Sequence, residues 1–189
     1  MPSFGTRALD TRSWDDFAAL VERHGGVWGG CWCMAFHADG AQRGPQRREA
    51  KACRVREGRA HAALVYDGDR CVGWCQYGPA GELPRIKHRK ACDATRQHEA
   101  DWRITCFFVD REHRGRGVAA AALRGALALI AGAGGGLVES YPEDASGRRV
   151  SASFLHNGSL EMFEREGFER VGAVGAHHWL VTCRVAPAR

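Results

Sequence analysis

Hydrophobic positions recur at helical spacing in two long stretches of the chain. After Ser13 they follow an i, i+3, i+4 pattern that ends at His24-Gly25-Gly26, which predicts a helix. Ser13 and Asp16 have the spacing of a capping box, so we expect the Ser13 side chain to cap this helix. The second and longer pattern runs through residues 118–130 and stops at a cluster of glycines.

The remaining polar and apolar patterns predict shorter elements. A polar helix is predicted at 46–57, and another short helix at 160–166 is closed by Gly167. The polar, irregular segment 79–100 predicts a long loop with a short helix, and long loops often serve a site.

Runs of β-prone residues predict the strands of a sheet. In the segment 61–77, two such runs flank Asp67-Gly68-Asp69, and the Asp-Gly pair predicts a tight hairpin turn. Residues 104–109 are nearly all apolar, which is typical of a strand buried on both faces. Further strands are predicted at 136–141, 168–174 and 178–185. The order of elements indicates an α/β (α+β) fold with a mixed, largely antiparallel central sheet of six to seven strands, flanked by helices.

The composition is that of an ordinary globular protein, with 44% hydrophobic and 26% charged residues. A length of 189 residues suits one domain, so we expect residues 1–189 to form a single one. No apolar run reaches the ~18–20 residues of a membrane helix, and the N-terminus lacks the apolar core of a signal peptide. We therefore expect a soluble, cytoplasmic protein that does not associate with membranes.

Charge and cysteine content narrow the chemistry only slightly. The formal net charge of +5 favours an anionic partner, whether a phosphorylated cofactor or a nucleic acid. Of the eight cysteines only Cys31 and Cys33 are close, and no C-x-x-C pair occurs. We expect reduced thiols and no metal, because one C-x-C pair with scattered histidines is a weak zinc signal.

The chemically informative stretch joins the buried strand to the long helix, from Val109 to Ala119. Its turn places Gly115 and Gly117 beside Arg114 and Arg116. The first N–H groups of a helix lack intrahelical partners and carry the positive end of its dipole, and glycines let an anion approach them closely. The turn therefore predicts a cradle for a pyrophosphate.

Two cofactor families use such a cradle. Gly115, Gly117 and Ala120 imitate the G-x-G-x-x-A fingerprint of dinucleotide-binding folds, with Glu139 about twenty residues further on. Against this, five residues separate the strand from the first glycine, and a predicted hairpin precedes the motif. The other cofactor is coenzyme A.

With Arg114, Gly117 and Ala119 following a strand, the sequence resembles the GNAT superfamily of N-acetyltransferases, whose signature is R/Q-x-x-G-x-G/A. The family's closing element, F/Y-E-x-x-G-F, is matched by the residues from Phe163 to Phe168. The resemblance extends from about Cys106 to Val171, and the predicted hairpin lies where the family has its second and third strands.

The resemblance implies that acetyl-CoA is the co-substrate and that the acetyl group passes directly to an amine. The backbone of Phe107, Phe108 and Val109 would pair with the pantetheine arm. The pyrophosphate would be held by the N–H groups of Arg114, Gly115, Arg116, Gly117, Val118 and Ala119. The N–H of Val109 would polarise the thioester carbonyl and stabilise the oxyanion. The family's asparagine is displaced by one residue, so His156 occupies its place and Asn157 is the candidate for the pantetheine contact.

The family's proton-transfer groups are less well matched. The tyrosine that often protonates the departing thiolate is Phe163 here, and we expect its ring to pack in the core against Leu160 and Val171. Tyr141 is the candidate for the acid in its place. Glu139 is the candidate for the general base, and a solvated or ion-paired carboxylate is the alternative interpretation of that residue.

Residues 25–37 hold two tryptophans, one phenylalanine and two cysteines where the family builds its acceptor side. Packed core and an aromatic pocket for a flat or hydrophobic amine both fit this composition. No Arg or Lys interleaves these aromatics, so a platform for nucleic acid is not expected. His37, His177 and His178 are further candidates for titration near neutrality, although hydrogen-bonded histidines are the commoner case.

Together these features predict an acetyl-CoA-dependent N-acetyltransferase acting on a primary amine of a small molecule, such as an antibiotic or a toxic metabolite. One alternative is a catalytically degenerate module that binds acyl-CoA as a sensor or partner subunit. The other is an acetyltransferase acting on a peptide or protein amine. A homodimer is the default assembly for such a domain.

Overall fold

The computed structural model describes residues 4–40, 46–148, 150–151 and 154–188. Seven strands form one sheet: β1 Gly5–Ala8, β2 His61–Asp67, β3 Arg70–Pro79, β4 Trp102–Val109, β5 Gly136–Ser140, β6 Glu169–Ala173 and β7 Trp179–Val185. Within these ranges there are five α-helices: α1 Trp14–Arg23, α2 Gln46–Arg56, α3 Arg89–Thr95, α4 Val118–Gly132 and α5 Leu160–Arg165. The strand order is β1-β2-β3-β4-β5-β7-β6, and only the β4–β5 pair is parallel. The predicted mixed, largely antiparallel sheet is confirmed.

Most predicted elements lie where the pattern placed them, but the predicted cap of α1 was wrong. The Ser13 hydroxyl donates to the carbonyl of Ala8 at 2.8 Å and accepts from the N–H of Asp10 at 2.9 Å, and it makes no cap hydrogen bond. Asp16 accepts instead from the hydroxyl of Tyr66 at 2.8 Å. Ser13 is buried at the turn that leaves β1, so its hydrogen-bonding capacity is used by that turn.

Apolar side chains cover both faces of the sheet. One cluster joins α1 and the segment after it to the sheet, and Phe17, Trp32 and Trp74 are among its members. The other joins α4 and α5 to the opposite face, with Leu123 and Phe163 at its centre. Within the described part of the chain, no helix is long and apolar enough to cross a membrane.

The parallel strands β4 and β5 diverge soon after they meet. The described strands pair at Trp102–Val138 and Arg103–Glu139. Beyond these pairs, the helical turn 154–157 packs against β4, where the Asn157 amide donates to the carbonyl of Thr105 at 2.6 Å. The C-terminal half of β4 therefore has one edge that none of the described strands covers.

Candidate active site

A cavity of about 430 Å³ lies at the N-terminus of α4, and we call it the α4 cavity. Its walls come from the end of β4, the turn into α4, the turn before α5, and the segment after α1. The lining residues are Trp28, Phe107, Phe108, Val109, His113, Arg114, Gly115, Gly117, Val118, Ala119, Ala120, Leu155, Gly158, Ser159 and Met162. Of the residues predicted to bind the cofactor, all but Arg116 and Asn157 are in this lining.

The turn before α4 has the backbone conformation that an anion site requires. Gly115 and Gly117 have φ of 73° and 86°, in the left-handed region that favours glycine. A Cβ added at either residue would meet no atom within 4 Å, so the backbone is open to the cavity. Gly117 is the N-cap and provides no side chain to the helix, whose Ala121 N–H bonds the Gly117 carbonyl. The N–H groups of α4 that precede Ala121 therefore need a partner from outside the helix.

The two arginines of the turn have different surroundings. Arg114 is exposed, lines the α4 cavity, and has no ion-pair partner among the described residues. The Arg116 guanidinium pairs with Asp67 at 3.1 Å and lies 5.8 Å from the ring centre of Phe4. The sequence suggested that both side chains add charge to the cradle, whereas the structure directs only Arg114 into it.

Asp110 holds the chain between β4 and this turn. Its carboxylate accepts from the N–H of Glu112 at 3.1 Å and pairs with Arg23 at 3.1 Å. Burial alone would raise the pKa of Asp110, but the N–H of Glu112 and the neighbouring Arg23 and His24 lower it to about 2. The start of the turn is therefore anchored by an ionised, buried carboxylate.

The free edge of β4 follows from its register with β3. The Asp110 N–H donates to the carbonyl of Val72 at 2.8 Å, which sets the alternation of bonded and non-bonded residues along this antiparallel pair. By that alternation, Phe107 and Val109 direct their N–H and C=O groups away from β3. These groups point to the edge from which β5 has diverged, at the wall of the α4 cavity.

Glu139 and Tyr141 are both buried, and neither is among the residues that line the α4 cavity. The Glu139 carboxylate accepts from Arg96 at 2.9 Å, from Arg103 at 2.7 Å, and from the hydroxyl of Tyr141. Burial by itself raises the pKa of a carboxyl, but these donors hold the pKa of Glu139 below its usual value. Burial and the adjacent carboxylate raise the pKa of Tyr141. These contacts are typical of an ion-paired structural carboxylate. They give no support to Glu139 as the general base or to Tyr141 as the acid.

The network around Glu139 has a positioning role. Arg96 belongs to α3, and Arg103 also donates to the carbonyls of Leu83 at 2.6 Å and Ala80 at 3.1 Å. Glu139 therefore ties the segment 80–96 to β4 and β5.

Phe163 packs in the core, as expected, although one of its partners differs. Its ring lies edge-on to Phe107 at 5.8 Å and to Phe168 at 4.9 Å, and Val171 packs in a separate cluster. Ser159, one helical turn earlier, brings a hydroxyl to the α4 cavity that the sequence analysis missed. Its hydroxyl also caps α5 by accepting from the N–H of Met162 at 3.4 Å, so its residue type had a structural explanation from sequence.

A second cavity, of about 540 Å³, lies on the other side of Trp28, and we call it the Cys106 cavity. Its lining consists of Trp28, Cys31, Ala35, Phe36, Arg47, Arg85, Ile86, Lys87, Cys106 and His156. The aromatic segment 25–37 thus divides, because Trp32, Cys33 and Met34 are core and Trp28 lines the cavity, whereas Phe36 does both. Trp28 is 39% exposed and has a left-handed φ of 48°, so it stands between the two cavities as a partition.

The three candidate histidines lie apart from the α4 cavity. His37 is buried beside Gln76, with ring and amide nitrogens 3.1 Å apart, and burial lowers its pKa to about 2. His177 and His178 line a third cavity with His88, where His178 lies 3.2 Å from Glu143. Burial lowers the pKa of His178.

The geometry of the site agrees with the protein family that the sequence matches. Residues 31–168 match the model of the acetyltransferase (GNAT) family. The chain belongs to the GNAT family. GNAT proteins are acetyl-CoA-dependent acyltransferases, so this chain is one as well. The dinucleotide interpretation is excluded, because the strands before the motif form an antiparallel hairpin rather than βαβ units.

Solved GNAT-type structures share the fold over nearly the whole chain. An N-acetyltransferase from Staphylococcus aureus is 12% identical, with a TM-score of 0.53 and coverage of 97% of this chain and 98% of its own. A mosquito arylalkylamine N-acetyltransferase-like protein is 12% identical, with a TM-score of 0.55 and coverage of 96% and 100%. A GNAT acetyltransferase from Bacillus cereus is 13% identical, with a TM-score of 0.51 and coverage of 99% of each chain. No curated protein matches the sequence.

Proposed function

We propose that this GNAT protein acetylates a primary amine of a small molecule that binds in the Cys106 cavity. The observation that carries this proposal is the second cavity itself. It meets the α4 cavity at Trp28 and reaches the same strand, β4, through Cys106. Its volume of about 540 Å³ suits a small molecule, since pockets for such ligands hold ~300–1,000 Å³.

The residues of the α4 cavity fit coenzyme A. The unpaired N–H groups at the start of α4, with the open glycines and Arg114, form a site for a pyrophosphate. The free backbone edge at Phe107 and Val109 suits an extended amide-containing arm, which would add to β4 like a strand. Bound acetyl-CoA would supply the acetyl group as a thioester.

The chain's own contribution to transfer is alignment and polarisation. The N–H of Val109 would donate to the thioester carbonyl oxygen, where negative charge develops as the amine attacks. Holding the two reactants against one strand supplies much of the rate by removing the cost of bringing them together. We propose that the Ser159 hydroxyl donates a proton to the departing thiolate. Phe163 cannot donate a proton, and Tyr141 is buried against Glu139.

The direct test is release of free thiol from acetyl-CoA in the presence of a panel of primary amines. Each amine is paired with its N,N-dimethyl analogue, which has no proton to lose after attack. We expect thiol release with some primary amines, none with the dimethyl controls, and an N-acetyl product by mass spectrometry. Thiol release that does not depend on any amine would overturn the proposal.

The degenerate module is disfavoured, because membership of the GNAT family makes the chain an acyltransferase, although Phe163 replaces the usual acid and Glu139 is enclosed by two arginines. It predicts that acetyl-CoA binds without turnover of any amine. A peptide acceptor would be favoured by an acidic groove beside Val109, and no carboxylate lines either the α4 or the Cys106 cavity among the described residues.

A further inference from the structure

The charged residues in the wall of the Cys106 cavity all have the same sign. They are Arg47, Arg85 and Lys87, and no Asp or Glu joins them among the described lining residues. None of the residues outside the described ranges is Asp or Glu either. The cavity is therefore a cationic pocket with an aromatic wall.

Arg85 and Lys87 differ from other cations on this side of the molecule. Arg89 pairs with Asp93 at 3.1 Å, and Arg54 pairs with Asp39 at 2.7 Å. Arg85 and Lys87 are exposed and have no ion-pair partner in the described part of the chain. Two such side chains in a concave site are available to a ligand.

The backbone that carries these two residues is well anchored. The N–H of Arg85 donates to the carbonyl of Phe36 at 3.0 Å, which ties it to the aromatic wall. Arg103, paired with Glu139, donates to the carbonyl of Leu83 at 2.6 Å. These hydrogen bonds therefore fix the backbone that carries Arg85 and Lys87.

We infer that the acceptor amine carries an anionic group, a carboxylate or a phosphate-type group, which Arg85 and Lys87 bind. This inference rests on the proposed function for the assignment of the Cys106 cavity to the acceptor. Arginine and lysine bind such oxygens through charge-assisted hydrogen bonds, whereas a simple ammonium would be repelled. The same positive field favours the neutral form of the amine, which is the form that attacks the thioester.

Three matched amines test the inference: 4-(aminomethyl)benzoate, 4-(aminomethyl)benzamide and 4-(aminomethyl)phenylphosphonate. They share a flat ring and an aminomethyl group, and they differ in the charge at the far end. We expect kcat/KM for the benzoate or the phosphonate to exceed that for the benzamide by about tenfold or more. The better of the two anions shows which group the site prefers.

The variants are Arg85→Gln with Lys87→Gln, and the matched control is Lys90→Gln, an exposed lysine of α3 that does not line the cavity. The double variant should lose most of the preference for the anion, mainly through a raised KM for the benzoate and the phosphonate. The control should behave as the unaltered protein. A benzamide that is used as well as both anions, or an anion preference unchanged in the double variant, would contradict the inference.

Binding of 4-methylbenzoate and 4-methylbenzamide, measured by calorimetry with coenzyme A present, separates this inference from the proposed function. Neither ligand has an amine, so neither needs turnover. If no amine is acetylated but the benzoate binds more tightly than the benzamide and loses that advantage in the double variant, the anion site stands and the proposed function fails. Equal binding of the two ligands would overturn the anion site.

Discussion

The α4 cavity is formed mainly by backbone groups, and the Cys106 cavity is formed mainly by side chains. The α4 cavity depends on backbone: the left-handed glycines, the unpaired N–H groups of a helix, and the free edge of β4. The Cys106 cavity depends on side chains, among them Arg85 and Lys87 from one loop and Trp28 and Phe36 from another. The comparison teaches that a backbone site can be constant across a family that acts on many amines, whereas the acceptor site changes with its loops.

The largest effect is expected at Glu139, which holds the segment 80–96 and with it the loop-built cavity. In Glu139→Gln, the buried Arg103 loses its charged partner, whereas Arg96 keeps its ion pair with Asp93 at 2.7 Å. Leaving a buried charge without its partner costs about 3–5 kcal/mol. We expect a large loss of stability in urea unfolding and a raised KM for the amine, with the affinity for acetyl-CoA little changed. A stable variant with a normal KM and a kcat that recovers at high pH would instead identify Glu139 as the general base.

A smaller effect is expected from the backbone of the α4 cavity. In Gly117→Val, a β-branched residue must adopt a φ of 86°, which costs about 1–3 kcal/mol. The relief of that strain would move the N–H groups of the turn, so we expect the affinity for acetyl-CoA to fall about tenfold or more. Gly132→Val is the control, since Gly132 ends the same helix without a positive φ and with open space around it. Equal affinities of the two variants, measured by calorimetry, would show that the turn is not the binding site.

Next in size is the difference between the two arginines of the turn. Arg114→Ala removes the charge that faces the α4 cavity, so we expect acetyl-CoA binding to weaken by about tenfold. Arg116→Ala should have little effect on binding, because that guanidinium pairs with Asp67. The reverse order of affinities would mean that the side chains rearrange when the cofactor binds.

The last prediction concerns how the free energy of unfolding falls as the pH is lowered. Asp110 and Glu139 both have pKa values lowered by the fold, so the stability they contribute is present at neutral pH and is lost as the pH falls. For Asp110 the loss should run from about pH 4 towards its folded pKa of about 2. Urea unfolding at pH 7, 4 and 3 should therefore show a steeper fall for the unaltered protein than for Asp110→Asn. Parallel curves would contradict this assignment.

More of the α4 cavity than of the Cys106 cavity could be predicted from the sequence, and the reason is physical. A left-handed backbone position requires glycine, so Gly115 and Gly117 mark the cradle directly. Arg96 lies 43 residues from Glu139, and no local pattern indicates that the two will pair. Nothing in the spacing of Arg85 and Lys87 indicates that they line one cavity with Trp28. The Ser13 cap failed for a local reason, because its hydroxyl bonds the carbonyl of Ala8 and the N–H of Asp10 in the preceding turn.

The central claim is that the turn before α4 binds the pyrophosphate of acetyl-CoA. Calorimetric titration of the unaltered protein with acetyl-CoA and with S-acetylpantetheine, which lacks the pyrophosphate, tests it most directly. We predict micromolar binding of acetyl-CoA and binding of the fragment that is weaker by about tenfold or more. No binding of acetyl-CoA, or equal binding of the two ligands, would contradict the claim.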